Sequence, residues 1–140
     1  MDIDCDGGTI ATGSWRPEEC LQTWDYGTGE LVHTFDWQLS TSNVDKEPCL
    51  VYATQISPDG SHIAAGGSGM NEVRVFNRRS GECVAKMDHL SGSVYSLDWA
   101  PTCDKVVAAL ADGSCQVLEL GSIMSGSGIT LDGGLGMGAE

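Results

Sequence analysis

Apolar and polar residues alternate along much of the first 120 residues. "VRVFN" (73–77) and "CQVLE" (115–119) open with apolar side chains at every second position, and "LQTWD" (21–25) mixes apolar and polar residues in the corresponding place. That period of two is the mark of a strand with one face turned to a core, because successive side chains leave a strand on opposite sides. The pattern predicts strands at 1–4, 8–13, 21–25, 31–36, 49–56, 61–66, 73–77, 83–88, 94–100, 105–110 and 115–120. Between them lie short clusters such as "SPDG", "YGTG", "RRSG" and "ADGS". These carry the residues tight turns need, glycine above all because it tolerates positive φ. No stretch shows helical periodicity. The expectation is an all-β chain of antiparallel strands.

The strands recur as a unit. Moved by 53 positions, "IDCDGGTIATG" (3–13) falls on "ISPDGSHIAAG" (56–66) without a gap, so Ile3 meets Ile56, Asp6-Gly7 meets Asp59-Gly60 and Ile10 meets Ile63. A further 43 positions bring in "WAPTCDKVVAA" (99–109), where Trp99, Pro101 and Val106 take the places of Ile56, Pro58 and Ile63. The second halves repeat as well: "YGTGELVHTF" (26–35) matches "RRSGECVAKM" (78–87). Each unit therefore reads as four strands joined by three turns. A fixed period of this size signals a repeat architecture.

Period and strand order resemble the tryptophan–aspartate (WD) repeat family, whose units of about 40–45 residues each form one four-stranded propeller blade. The resemblance covers roughly residues 1–120. It is carried by Trp24-Asp25, by the "SPDG" turn at 57–60 and by "ADGSCQVLEL" at 111–120. It implies antiparallel four-stranded blades of a β-propeller, in units of about 1–36, 49–88 and 94–120. It also implies a structural hydrogen-bond network in which His89, ahead of one strand, pairs with Asp112 in the following tight turn. The dyad position holds Phe76-Asn77 in the second unit and Leu118-Glu119 in the third, and alanines at 108 and 109 stand where Ser or Thr is expected.

About three blades can be counted, whereas closed propellers have 4–8. Sheet faces left without neighbours invite association. The expectation is therefore the C-terminal part of a larger propeller, or a partner that completes it. Two insertions stand out. The long inter-blade loop "DWQLSTSNVDKEP" (36–48) carries Trp37, Leu39 and Val44, and "WRPEEC" (15–20) sets Trp15 beside Arg16. Exposed aromatic and Arg side chains anchor interfaces, so Trp15, Arg16, Trp37, Leu39 and Val44 are candidate partner contacts. The opposite reading has both tryptophans tucked against their own blades, since Trp is largely buried on average. The tail 121–140 has seven glycines and reads as flexible, with "GITLD" (128–132) as a further strand candidate.

Charge and chemistry narrow the function. The net charge is −13, from 20 acidic and 7 basic residues. This disfavours a nucleic-acid backbone or an anionic membrane surface and favours basic partner segments. No apolar run approaches the roughly 20 residues of a membrane-spanning helix, and the N-terminus lacks a secretory pattern. The six cysteines contain no C-x-x-C pair and read as reduced thiols of a cytoplasmic protein. "MDIDCDGG" opens like a calcium-binding EF-hand loop, but the twelfth position, where Glu is required, is Gly13. Asp2 and Asp4 are instead expected along an inner strand, with Ile3 facing the core. No nucleophile elbow, dinucleotide fingerprint or Walker sequence occurs. No cofactor, metal or catalytic residue is assigned. The reading is a non-catalytic protein–protein interaction scaffold within a larger assembly, with cytoskeletal or ciliary complexes as hosts. The alternatives are a substrate-recognition propeller of an adaptor complex, weakened by having only Arg16, Arg74, Arg78 and Arg79, and a calcium-binding or hydrolytic propeller.

Overall fold

The computed structural model describes residues 1–37 and 48–120. Their regular structure is all strand, in three antiparallel sheets and without a helix. The first sheet has the order β1 (Asp2–Ile3), β2 (Thr9–Gly13), β3 (Leu21–Asp25), β4 (Leu31–Phe35). The second runs β5 (Leu50–Ile56), β6 (His62–Ser68), β7 (Val73–Asn77), β8 (Cys83–Met87). The third holds β9 (Val94–Trp99), β10 (Lys105–Leu110) and β11 (Cys115–Glu119), again in sequential order. The strand candidate at 128–132 lies outside the described residues, as do Leu39 and Val44.

The repeat offsets survive as strand register. Ile3 pairs with Ile10, Ile56 with Ile63 and Trp99 with Val106. On the next strand Trp24, Phe76 and Leu118 stand opposite Ile10, Ile63 and Val106. The first turn of each sheet closes alike, through Gly7 N–H to the Asp4 carbonyl, Gly60 N–H to Ser57 and Cys103 N–H to Ala100. The donor residue is left-handed every time, with φ of 70°, 72° and 59°. Glycine adopts that region without penalty, whereas Cys103 holds it against the steric preference of a side-chain-bearing residue. The Asn77 departure from the dyad is also conservative locally. Asp25 Oδ1 accepts from Thr28 N–H at 2.8 Å, and Asn77 Oδ1 accepts from Arg79 and Ser80 N–H at 3.0 Å, so both residues cap the same kind of turn.

Two cores lie between the three sheets. One joins the first sheet to the second through Ala11, Leu21 and Phe35 against Val51, Ile56, Ile63 and Phe76. The other joins the second to the third through Ala64, Val73, Val75 and Met87 against Leu97, Trp99, Val106 and Leu118. The central sheet is thus covered on both faces, which is why four consecutive residues of β7 are buried. Each fully buried large apolar side chain contributes roughly 1.5–3 kcal/mol.

The outer sheets keep one uncovered face each. Ile3 is 47% exposed, contrary to the expectation that it faces a core. Its own strand turns it away from the second sheet, while Asp2 and Asp4 on the opposite face reach that sheet. Val107, at 41% exposure, marks the free face of the third sheet. There Asp98, Lys105, Val107, Val117 and Glu119 line a groove of about 610 Å³.

Candidate partner-binding face

The opening aspartates bind one sheet to the next. Asp2 Oδ2 accepts from the Ile56 N–H at 2.8 Å, and Asp4 Oδ2 accepts from the Arg78 guanidinium at 2.6 Å. Asp4 Oδ1 takes the Gly8 N–H of its own turn at 3.0 Å. The Arg78 bond outweighs burial and holds the Asp4 carboxyl below the usual carboxylate range. Among the described residues no three His, Cys, Asp or Glu side chains group as metal ligands would.

At the other end of the sheets lie the β2–β3, β6–β7 and β10–β11 loops. Trp15 projects from the first of these and is 65% exposed. The loop is fixed to the second sheet by the Val51 N–H, which donates to the Ser14 carbonyl at 3.1 Å. Neighbouring Arg16 donates to Gln22 Oε1 at 2.9 Å and to the Glu19 carbonyl at 3.3 Å, with the Glu19 carboxylate at 3.8 Å. It is exposed, but its guanidinium is engaged by its own loop and by β3. Trp15 stacks edge-on with Tyr52 of β5 at 5.0 Å between ring centroids. Tyr52 in turn meets Tyr95 of β9 at 5.6 Å. One aromatic row therefore crosses all three sheets. Tyr52 and Tyr95 escape a reading by single segments, but they are related by the same 43-residue offset as the repeat.

Trp37 is buried, which corrects its placement among the exposed partner contacts. Its indole N–H donates to Glu72 Oε1 at 2.6 Å. Arg74, on β7, donates through Nε to the same oxygen at 3.1 Å and through Nη1 to the Trp37 carbonyl at 2.6 Å. The guanidinium also lies 4.9 Å from the Trp37 ring centroid. Glu72 and Arg74 are fully buried, with Lys86 Nζ 3.9 Å from the second Glu72 oxygen. An aromatic ring held by an ion pair on the next sheet is drawn inward, away from any partner. The signal was two opposite charges at 72 and 74, on one face of an otherwise apolar strand.

His89 and Asp112 do not pair, contrary to the expected network. Asp112 Oδ2 accepts from Ser91 Oγ at 2.5 Å, and its Oδ1 takes the N–H and hydroxyl of Ser114 at 2.9 and 2.6 Å. These bonds hold the carboxyl at a pKa of about 2. His89 is exposed, on left-handed backbone with φ 56°. A different part of such a network forms in the first sheet, where Trp24 Nε1–H donates to Thr12 Oγ1 at 2.9 Å. The six cysteines are free, and burial pushes the thiols of Cys20 and Cys49 up to about 11 and 12. Thiols so poorly ionised at neutral pH are poor nucleophiles.

Residues 81–118 match the family described as WD domain, G-beta repeat. The matched stretch runs from the turn before β8 through the third sheet to Leu118, so one sequence repeat straddles two sheets. No curated protein matches the chain.

Proposed function

The chain belongs to the WD-repeat family, and from that premise we propose that it is a non-catalytic scaffold subunit of a larger multiprotein assembly. Domains of this family generally mediate protein–protein contacts. The observation that carries the proposal is the arrangement of its sheets. A stacked array buries its apolar faces only against neighbours, and both outer sheets here keep a face bearing apolar side chains, at Ile3 and Val32 on one side and Val107 on the other. Further blades, from a longer chain or from a completing subunit, are the proposed cover. The proposed host is cytoplasmic, with the cytoskeleton or the cilium as the first places to look.

The test is the size of the native assembly. Sedimentation of a gently prepared extract, followed by cross-linking of the tagged protein, is expected to place the 14.7 kDa unit in a complex several times its mass, with reproducible cross-links to the uncovered faces. Sedimentation at the mass of this unit alone, with no cross-linked neighbour, would refute the scaffold reading.

A further inference from the structure

The aromatic row on the loop end of the sheets is a surface that packing does not require. Trp15 and Tyr95 end the row, and they are 65% and 61% exposed. Each end ring has two faces, and its single aromatic neighbour covers at most one of them. The central ring is held in place, since Ser68 Oγ donates to the Tyr52 hydroxyl at 3.3 Å and the Trp15 loop is bonded to β5. The rings thus form a fixed platform with open faces. Rigid aromatic side chains give large contact area for little lost freedom, which is why they dominate interface energetics.

Acidic side chains stand at both ends of the row. Glu18 and Glu19 follow Trp15 in its loop, and all three are exposed. At the other end of the row, Asp112 sits in the turn beside the start of the strand that carries Tyr95, where the Ala111 N–H donates to the Ser93 carbonyl at 2.8 Å. The cation of the Trp15 loop, Arg16, is engaged by Gln22 and Glu19. Open ring faces flanked by carboxylates attract an ammonium or guanidinium group twice, through the ring quadrupole and through charge. The ring-to-ring steps are 5.0 and 5.6 Å, a span that about three residues of extended chain would cover.

We propose that the Trp15–Tyr52–Tyr95 row docks an extended, cationic peptide segment of a partner protein, its Lys or Arg side chains lying over the ring faces. The proposal rests on the scaffold reading and names one of its contact surfaces and the chemistry that surface accepts.

The probe is a fluorescent peptide of alternating Gly and Arg, beside its neutral citrulline counterpart, titrated with the whole chain near 0.15 M salt. The arginine peptide is expected to bind, and the citrulline peptide about tenfold or more weaker. Trp15→Ala and Tyr95→Ala are each expected to weaken binding about two- to tenfold, in line with exposed cation–π contacts, with thermal midpoints close to the parent. The unsubstituted protein gives an independent readout, because the indole N–H resonance absent from Trp15→Ala is the one expected to shift on titration. Binding that ignores both substitutions would show that net charge alone holds the peptide and would overturn the proposal. Equal binding of the citrulline peptide, or none of either, would overturn it as well. The scaffold reading would survive those outcomes if the native complex remained large, and it would fall separately if the complex were absent.

Discussion

Replacing Arg74 by Met tests whether the buried ion pair joins the first two sheets. Arg74 and Glu72 are both 0% exposed. Glu72 Oε1 receives Arg74 Nε at 3.1 Å, Arg74 Nη2 at 3.0 Å and the Trp37 indole at 2.6 Å. Without the guanidinium, the Glu72 carboxylate keeps the indole and a lysine at 3.9 Å. Removing one member of such a pair costs about 3–5 kcal/mol, because the other is left as an uncompensated buried charge. A domain of this size has about 5–15 kcal/mol of stability in total. The variant is therefore expected to lose roughly a third of it, with a fall in melting temperature on the order of 10–20 °C. Glu72→Leu together with Arg74→Met removes both charges. The double variant leaves no uncompensated carboxylate, and the lost bonds to Trp37 cost about 1–2 kcal/mol, so it is expected to be more stable than Arg74→Met alone. Urea unfolding followed by tryptophan fluorescence, read as a double-mutant cycle, measures the coupling. If Arg74→Met stays within about 1 kcal/mol of the parent, or the double variant loses the full sum of the singles, the ion pair is not what joins these sheets.

Two further outcomes follow from the contacts between and within sheets. Asp4→Asn is expected to cost about 1–2 kcal/mol at pH 7, less than a fully buried pair because Arg78 is partly exposed. Arg78 depresses the folded-state pKa of Asp4, so this stability is present above the ordinary carboxylate range and is lost as pH falls through the lowered value. The gap between parent and variant should therefore close in acid, and a gap that stays constant down to pH 2 in denaturant titrations would contradict the assignment. Gly67→Ala would drive its Cβ onto the Leu50 carbonyl on the neighbouring strand, and a backbone group cannot step aside as a side chain can. A loss of more than about 2 kcal/mol is expected in thermal unfolding, against about 0.5 kcal/mol or less for Gly8→Ala, whose Cβ has nothing within 4 Å.

Strand alternation and repeat offset made the fold class and register readable before any coordinates. Period two says which residues share a face, and Ile3, Ile56 and Trp99 indeed hold equivalent places. It does not say what covers that face. Ile3 is expected in a core because it alternates with Asp2 and Asp4, and its counterpart Ile56 does lie in one, yet the same position at the end of the array faces outward. His89 and Asp112 were expected to pair because the repeat implies it, but hydroxyls at Ser91 and Ser114 stand nearer and take both carboxylate oxygens. Trp37, near the start of a long insertion, reads from sequence either as a partner contact or as a ring tucked against the fold, and it is buried. The ion pair that draws it inward comes from residues 35 and 37 positions away, beyond the reach of any local pattern.

A repeat places the same strand position at the same height on successive sheets, so residues one period apart become neighbours in space. Tyr52 and Tyr95 are 43 residues apart in sequence and 5.6 Å apart between ring centroids. Trp15 comes from a loop with no counterpart of its kind in the other units, and it extends the pair into a row. Searched one segment at a time, the chain offers two unremarked tyrosines and one loop tryptophan. Searched down the equivalent positions of its units, it offers the aromatic surface on which the binding proposal stands. In an array of this kind a surface site is written at the interval of the repeat, and a unit that departs from the pattern, as the Trp15 loop does, marks where that site acquires its own shape.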